Sequence, residues 1–311
     1  MGVEAQAEER VVTGVRPAAT TATVSDPGPR CLLPEDRDMA DARAVEWRRL
    51  ELRDIPDLAA FAPPEWRMAL DAVLLQNIGR GYFLGRVATT ASGIIAVGQG
   101  MVTGRTGWLG NIIVRPDSRR QGLGSRMTRD LMDALRERGC SSLLLVASES
   151  GEPIYRKLGF RQTEEYVFLD VPPLAALEDA AVRRLTAADR DGVLRLDVEA
   201  TGESRAELLT PHLASGWGHR GGEGALEGFF LPSLGAGLVV AESERAGEAL
   251  LSFKHALFPG PAVVPAGNAA ALRLLLAHGA TETRRAPRMV LGEEAEWRPE
   301  RVFARASGYC G

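Results

Sequence analysis

Cysteine is scarce in this chain, which has only Cys31, Cys140 and Cys310. Three widely separated cysteines form neither a disulfide framework nor the paired spacing of a zinc site. No apolar run approaches the roughly 18 residues of a membrane-spanning helix, and the first residues lack the apolar segment of a secretory signal. We therefore expect a reducing, cytoplasmic setting, with no metal and no membrane association.

Positive charge and histidine are also limited. Acidic residues outnumber lysine and arginine by 41 to 37, and the formal net charge is −4. A general nucleic-acid binder normally carries a basic face, so no nucleic-acid partner is expected. The four histidines lie at positions 212, 219, 255 and 278. The first half of the chain must therefore do without the most common general base.

The 311 residues are enough for about two domains. Residues 1–43 are rich in Ala, Thr, Pro and acidic residues without periodicity, which predicts a flexible leader. Over residues 44–170 the patterns predict a strand, two helices, three antiparallel strands, a helix, a strand, a short helix and a strand. Residues 171–180 are a predicted linker. A similar order recurs over residues 181–311, which indicates a diverged internal repeat and a mixed-sheet α+β fold.

The most informative stretch is residues 108–125. A predicted strand ends at Val114, and apolar residues at every fourth position from Leu123 predict a helix after a short arginine- and glycine-rich loop. This arrangement binds anions, because free backbone N–H groups and the positive end of the helix dipole meet there. Gly122 and Gly124 lack a Cβ, so a phosphate can approach the main chain closely. The sequence predicts a phosphate-binding turn.

The second half does not repeat this turn. We predict strands there at residues 249–256 and 263–265, and the residues between them are too few for a helix of four turns. The second unit is therefore expected to lack both the turn and its helix. This leaves one anion site per chain.

Two motifs resemble those of the GCN5-related N-acetyltransferases (GNAT). The pattern V-x-P-x-x-R-x-x-G-x-G at residues 114–124 is similar to the family's motif A, and Y-R-K-L-G-F at residues 155–160 is similar to its motif B. The resemblance covers residues 44–170, while residues 175–311 look like the degenerate second unit of tandem acetyltransferases. It implies the GNAT fold in two tandem units, acetyl-CoA or another acyl-CoA as co-substrate, and acyl transfer to an amine.

The resemblance also implies roles for individual residues. In the family the motif A loop holds the CoA pyrophosphate, and the preceding strand pairs with the pantetheine arm where it splays from the next strand. A strand N–H near Val114 would stabilise the oxyanion. Arg115, Arg126 and Arg156 either add charge suited to the phosphates or lie solvated at the surface. The implied cofactor-binding residues are Ile112, Ile113, Val114, Arg119, Arg120, Gln121, Gly122, Leu123, Gly124 and Ser125.

Tyr155 matches the tyrosine that family members often use as general acid toward the departing thiolate. A phenol is neutral at pH 7 and can donate a proton as the sulfur gains charge. The alternative is that this ring only packs against the CoA arm.

The sequence leaves the general base open. Many GNAT enzymes carry a glutamate on the fourth strand, near where this chain has Asn111, and Ser148 stands near the family's frequent asparagine. The base is then Glu65, Glu149 or a group from the second half, or the amine loses its proton through water. The loop at residues 197–205 either only caps a helix or shapes the acceptor pocket.

These features predict an N-acyltransferase that transfers acetyl from acetyl-CoA to a primary amine by direct attack in a ternary complex. The acceptor is a small-molecule or protein amine. The alternatives are a non-catalytic acyl-CoA-binding sensor, which the missing glutamate favours, and an interaction scaffold. A homodimer stays open.

Overall fold

The structure is a computed structural model that describes residues 44–66, 68–174, 179–308 and 310. The predicted leader and residues 175–178 of the predicted linker lie outside the described residues. Within these ranges the chain forms thirteen strands and eight α-helices, joined by short 3-10 turns. No helix there is long and apolar enough to cross a membrane, since even the longest has 15 residues.

The first half follows the predicted element order. Strands β1 to β4 are antiparallel neighbours. Helix α3 covers β3 and β4 with the residues whose spacing predicted it, including Met127, Leu131 and Leu135. The elements are β1 (Glu46–Arg49), α1 (Ile55–Leu58), α2 (Leu70–Asn77), β2 (Phe83–Thr90), β3 (Gly93–Thr103), β4 (Thr106–Val114), α3 (Leu123–Glu137), β5 (Ser142–Val146), α4 (Glu152–Lys157) and β6 (Arg161–Asp170).

The second half departs from the predicted element order. It contains two strands that the sequence patterns did not reveal, β8 and β13. The elements are β7 (Val182–Arg184), α5 (Arg190–Thr201), α6 (Ala206–Leu209), β8 (Trp217–Arg220), β9 (Leu226–Leu231), β10 (Leu238–Ala241), α7 (Glu244–Leu257), β11 (Ala262–Pro265), α8 (Ala269–Ala277), β12 (Thr281–Gly292) and β13 (Val302–Ala304).

Helix α7 corrects one prediction. The predicted strand at residues 249–256 is wrong, because this run lies within α7. Ser243 caps the helix by accepting a hydrogen bond from the Ala246 N–H at 3.3 Å. The second half therefore has a helix after β10, contrary to expectation. Only Glu242 and Ser243 lie between β10 and α7, so this connection has no glycine-rich turn.

Strands from the second half complete the main sheet. Its order is β1-β2-β3-β4-β5-β12-β6-β11, and a five-stranded sheet has the order β13-β10-β9-β8-β7. Strand β12 is antiparallel to both β5 and β6, so it separates two strands of the first half. The main sheet thus contains strands from both sides of the predicted linker at residues 171–180.

Strand β13 closes the gap between β10 and β11. It pairs antiparallel with β10. Directly after it, the Arg305 N–H donates to the Val263 carbonyl of β11 at 2.8 Å. The side chain of Arg305 is thereby fixed between the two sheets.

Candidate active site

Strands β4 and β5 pair for only a short distance. Their parallel register runs from Thr106–Ser142 to Trp108–Leu144 and stops there. Beyond this point β4 continues to Val114, while β5 stays bonded to β12 on its other side. The two strands therefore splay, and an open slot lies between them.

A bulge in β4 accompanies the splay. Gln99 pairs with Gly110 and Val97 pairs with Ile113, so Gly98 alone faces two residues of β4. Asn111, one of these two, has a φ of 48°, a left-handed conformation that asparagine tolerates better than most residues. A bulge bends its strand and increases the local twist. It thus turns the end of β4 away from β5.

The end of β4 presents free backbone groups to the slot. The Arg115 N–H donates to the Ile95 carbonyl of β3 at 2.8 Å. Because successive residues of a strand point their backbone groups to opposite sides, Val114 and Ile112 face the slot instead. The Val114 carbonyl accepts a hydrogen bond from Arg119 Nε at 3.1 Å. Ile113 is buried and pairs with β3. Of the three predicted strand residues, Ile112 and Val114 therefore offer an N–H to a ligand in the slot.

The loop after β4 forms the predicted cradle. Arg120 and Gly122 have φ angles of 62° and 79°, which turn the chain sharply into α3. The first N–H paired within the helix is that of Arg126, which donates to the Gly122 carbonyl at 3.0 Å. The three preceding N–H groups, of residues 123–125, have no acceptor within the helix. No side chain caps this terminus, so these donors are available to an anion.

Two of the five candidate arginines have neither an acidic partner nor an aromatic ring against the guanidinium group in the described part of the chain. Arg119 and Arg120 are exposed and have no acidic partner among the described residues. The other three, Arg115, Arg126 and Arg156, contact Asp117 at 2.7 Å, the Trp47 ring at 4.5 Å and Glu152 at 2.6 Å, respectively. Arg119 and Arg120 thus place two unpaired positive charges on the loop itself.

Tyr155 lies on α4, beside the cradle. Ile154, its neighbour, comes within 3.7 Å of the position that a Cβ on Gly124 would take. The half-buried Tyr155 ring meets Phe160 edge-on, with 6.0 Å between centroids. Its hydroxyl has no hydrogen-bond partner in the described part of the chain. Burial raises the pKa of Tyr155 to about 12, so the phenol keeps its proton at neutral pH.

Comparison with known proteins agrees with this geometry. Residues 87–169 match the family model of FR47-like proteins. A glucosamine 6-phosphate N-acetyltransferase from Trypanosoma brucei brucei is 38% identical over 65 residues, which are 21% of this chain and 44% of that protein. The match thus spans less than half the length of this relative.

Solved structures extend the likeness over most of the chain. A putative acetyltransferase from Pyrococcus horikoshii superposes with a TM-score of 0.74 at 21% identity, over 86% of this chain and 96% of that one. A tandem GNAT protein from the clavulanic acid biosynthesis pathway gives 0.56 at 15% identity, over 80% and 98%. Both share the fold. The chain thus has the fold of the GCN5-related N-acetyltransferases.

The slot has no evident carboxylate base among the described residues. The Asn111 Nδ2 is buried without a hydrogen-bond partner. Glu149 is exposed on the loop before α4. The backbone of Glu65 lies in the 3-10 turn Pro64–Trp66, and its side chain is outside the described part. The base is therefore not identified by these positions.

The four histidines have their nearest polar partners within the second half. Each has a polar partner close by, and none of these contacts involves β4, β5 or α3. His212 lies 2.8 Å from Ser233 Oγ, and His219 lies 3.3 Å from the Glu227 carboxylate. His255 lies 3.4 Å from Lys254 Nζ, and His278 lies 2.8 Å from the Leu274 carbonyl oxygen. The described residues also contain no cluster of side chains suited to a metal ion.

Two side chains of the second half, Glu203 and Arg305, contact Trp108 beside the slot. The sequence analysis singled out the stretch that contains Glu203 but not Arg305. Of the predicted loop at residues 197–205, residues 197–201 are the last turn of α5. Glu203 lies between α5 and α6 and accepts hydrogen bonds from Trp108 Nε1 at 2.8 Å and Thr103 Oγ1 at 2.6 Å. Arg305 lies over the Trp108 ring, 5.2 Å from its centroid. A charged residue in the apolar run V-F-A-R-A at residues 302–306 was the available signal, because buried charges need a reason.

A surface depression of about 560 Å³ lies elsewhere in the described part of the chain. It is lined by Gly79–Tyr82 and by residues around Glu207. Arg138 donates to the Gly81 carbonyl at 2.6 Å, which places the depression at the C-terminal end of α3. That end is about 22 Å from the cradle, from the rise of a 15-residue helix.

Proposed function

We propose that this chain is an N-acyltransferase that transfers the acetyl group of acetyl-CoA to a primary amine. The observation that carries the proposal is the direct continuity of an open β4–β5 slot with an uncapped helix N-terminus. An extended thioester arm fits the slot, and a pyrophosphate fits the free N–H groups beside it.

The residues present suit CoA at both ends of the loop. The N–H groups of residues 123–125 and the guanidinium groups of Arg119 and Arg120 would hold the pyrophosphate. Ile112 and Val114 would pair with the amide groups of the pantetheine arm. The other predicted contacts, Ile113, Gln121, Leu123, Gly124 and Ser125, belong to the same strand, loop and helix turn and remain part of this proposal.

The transfer needs two proton movements and one stabilised oxyanion. The Val114 N–H would donate to the thioester carbonyl oxygen as it gains charge. The amine nitrogen attacks the carbonyl carbon, the new C–N bond forms and the C–S bond breaks. The Tyr155 hydroxyl would give its proton to the departing sulfur and regain one from solvent. The proton lost by the amine passes to water, since no side-chain base is evident.

We infer that residues 181–311 are a degenerate GNAT-like unit without its own acyl-CoA site. The Ser243 side chain accepts a hydrogen bond from a backbone N–H in the first turn of α7. Strand β13 pairs with the edge of β10, so no slot is open there. Both features contrast with the open slot and free helix terminus of the first half. A cytoplasmic location, the absence of a metal and a homodimer remain predictions.

Replacing Tyr155 tests the catalytic role. In Tyr155→Phe we expect kcat for CoA release from acetyl-CoA and an amine panel to fall by about 10²–10⁴-fold, the range typical of general acid catalysis. The dissociation constant for acetyl-CoA, measured by calorimetry, should stay unchanged.

Tyr82→Phe is the matched control. The Tyr82 hydroxyl donates to Asn77 Oδ1 at 3.3 Å, outside the slot, so kcat should match the parent. Acetyl-CoA binding without turnover of any amine would favour the sensor instead. Failure to bind acetyl-CoA would favour an interaction scaffold.

A further inference from the structure

Five side chains form an alternating row of cations and aromatic rings. The Arg288 guanidinium lies 4.8 Å from the centre of the Trp297 ring, which meets Tyr166 at 6.5 Å. Arg305 lies 4.3 Å from the Tyr166 ring and 5.2 Å from the Trp108 ring. We call these five residues the arginine row. Four of them belong to β6 or to segments after it, and only Trp108 comes from β4.

The arginine row begins where β4 and β5 diverge and is buried there. Trp108 is the last residue of β4 that pairs with β5, and Arg288 pairs with Val146, the last residue of β5. The neighbour of Arg288, Met289, packs in the cluster that includes the buried face of α3. Because neighbours in a strand face opposite sides of the sheet, Arg288 points away from α3. The row is thus on the face opposite the phosphate cradle.

The arginine row contains buried hydrogen-bond donors without acceptors. Arg305 and Arg288 are only 2% and 1% exposed. Arg305 Nε and Nη2, Arg288 Nε, Trp297 Nε1 and the Tyr166 hydroxyl all lack partners. The guanidinium and indole groups can only donate. Buried polar groups are normally hydrogen-bonded, so this excess of donors fits a ligand that brings acceptor oxygens.

The carboxylates near the row are already engaged. Arg288 Nη1 binds Glu294 at 3.1 Å, and one oxygen of Glu203 accepts both the Trp108 and the Thr103 bonds. The Arg305 side chain has no hydrogen-bond or ion-pair partner in the part of the chain that the structure describes. Burial, with a smaller contribution from neighbouring arginines, lowers the pKa of Arg305. A nearby anion would relieve this unfavourable burial of positive charge.

We propose that Arg305 and Arg288 bind an oxyanion of the amine acceptor, a carboxylate or a phosphate ester. The inference rests on the proposed function and specifies its substrate class as an amine that carries a negative group. A guanidinium presents a planar pair of donors that matches either oxyanion. With the oxyanion held on the arginine row, the amine would face the slot at the end of β5, where the proposed function would place the thioester carbonyl.

Matched acceptors test the proposal and distinguish the two oxyanions. One pair is glucosamine and glucosamine 6-phosphate, and the other is glycine and glycinamide. We expect the parent to prefer the charged member of at least one pair in kcat/KM. Arg305→Gln should lower kcat/KM for that member by about 10- to 100-fold, the effect of losing a hydrogen bond to a charged group. The neutral member should change by less than about threefold, and Arg305→Lys should recover part of the loss.

Arg184→Gln is the control variant. Arg184 stacks on Trp217 at 4.2 Å but is exposed, so its loss should leave both acceptors unaffected. Calorimetry with acetyl-CoA verifies that each variant is folded and keeps its cradle. Equal use of charged and neutral acceptors by the parent, or an equal loss of both in Arg305→Gln, would overturn the proposal.

A second measurement separates this proposal from the proposed function. Trp108 and Trp297 lie in the arginine row, so glucosamine 6-phosphate or glycine should change the intrinsic fluorescence saturably in the parent and not in Arg305→Gln. Such a fluorescence change in a protein that acetylates no amine would support the anion site and contradict the proposed transferase function. No fluorescence change with either compound would overturn the anion site, even if neutral amines are acetylated.

Discussion

At the scale of single residues, the cradle depends on backbone conformation as much as on charge. Gly122 has a φ of 79°, and the position of a Cβ there would meet no atom within 4 Å. Glycine is therefore required by the dihedral angle and not by lack of space. The neighbouring Arg120 tolerates a φ of 62°, which indicates that the surrounding loop holds the turn firmly.

Gly122→Ala should weaken acetyl-CoA binding with little change in fold. A non-glycine residue in the left-handed region costs about 1–2 kcal/mol, so the loop should relax and the free N–H groups should lose their alignment. We expect the dissociation constant for acetyl-CoA to rise about tenfold or more in calorimetry.

Gly222→Ala is the matched control for this change. Gly222 also has open space at its Cβ position but no left-handed φ, so its substitution should leave binding unchanged. Equal affinity in Gly122→Ala and the parent would show that the turn does not position the ligand.

Residues that act within one contiguous stretch could be predicted from the sequence. The loop from Val114 to Gly124 and the short helix of Tyr155 form where the motifs indicate, because their geometry is local. Arg305 could not be assigned to the slot in the same way. It reaches Trp108 only because two sheets meet, and no periodicity encodes such a distant contact.

At the scale of elements, α7 shows why a buried helix was mistaken for a strand. The run at residues 249–256 is mostly apolar, and most of it is buried, so a strand buried on both faces fits the pattern equally well. The Ser243 cap and the length of the segment were the signals for a helix. The buried face of α7 includes Lys254, which is only 2% exposed.

Lys254→Met should stabilise the protein at pH 7. Burial lowers the pKa of Lys254 from 10.5 to about 8, so the folded state at pH 7 carries a disfavoured charge. Between pH 8 and 10.5 the unfolded lysine binds a proton that the folded one has lost, and stability therefore rises with pH. Replacement should raise the free energy of unfolding at pH 7 by roughly 3 kcal/mol and flatten this rise.

Urea unfolding at pH 7 and at pH 10 measures both effects. Lys157→Met is the control, because the other lysine of the chain is exposed at the end of α4. It should change neither the stability nor its pH dependence. A loss of stability at pH 7 in Lys254→Met would contradict the assignment of a buried charge penalty.

At the scale of the whole molecule, the two halves share one sheet. Without β12, the edges of β5 and β6 that it pairs with would be open, and β5 is almost entirely buried. Exposed strand edges with apolar faces promote aggregation. The sequence indicated two units with similar element orders, but it could not show that β11 and β12 join the first unit's sheet, since strand pairing across the chain has no local signal.

Separating the halves tests this arrangement. A fragment of residues 44–178 should aggregate or elute as a non-native species in size-exclusion chromatography. Its co-expression with a fragment of residues 179–311 should restore a soluble complex that binds acetyl-CoA. A stable, monomeric first fragment with parental affinity for acetyl-CoA would show that β12 is dispensable for the cradle.

The place of β12, β13 and Arg305 in the chain also affects how the molecule is made. Synthesis delivers the cradle and the edges of the slot long before these elements, and chains fold as they emerge. During synthesis the sheet of the first half therefore lacks β12, the strand between β5 and β6, until the second half has been made. The acceptor side is completed last, so a nascent chain holds the parts for the acyl donor before it can select an amine.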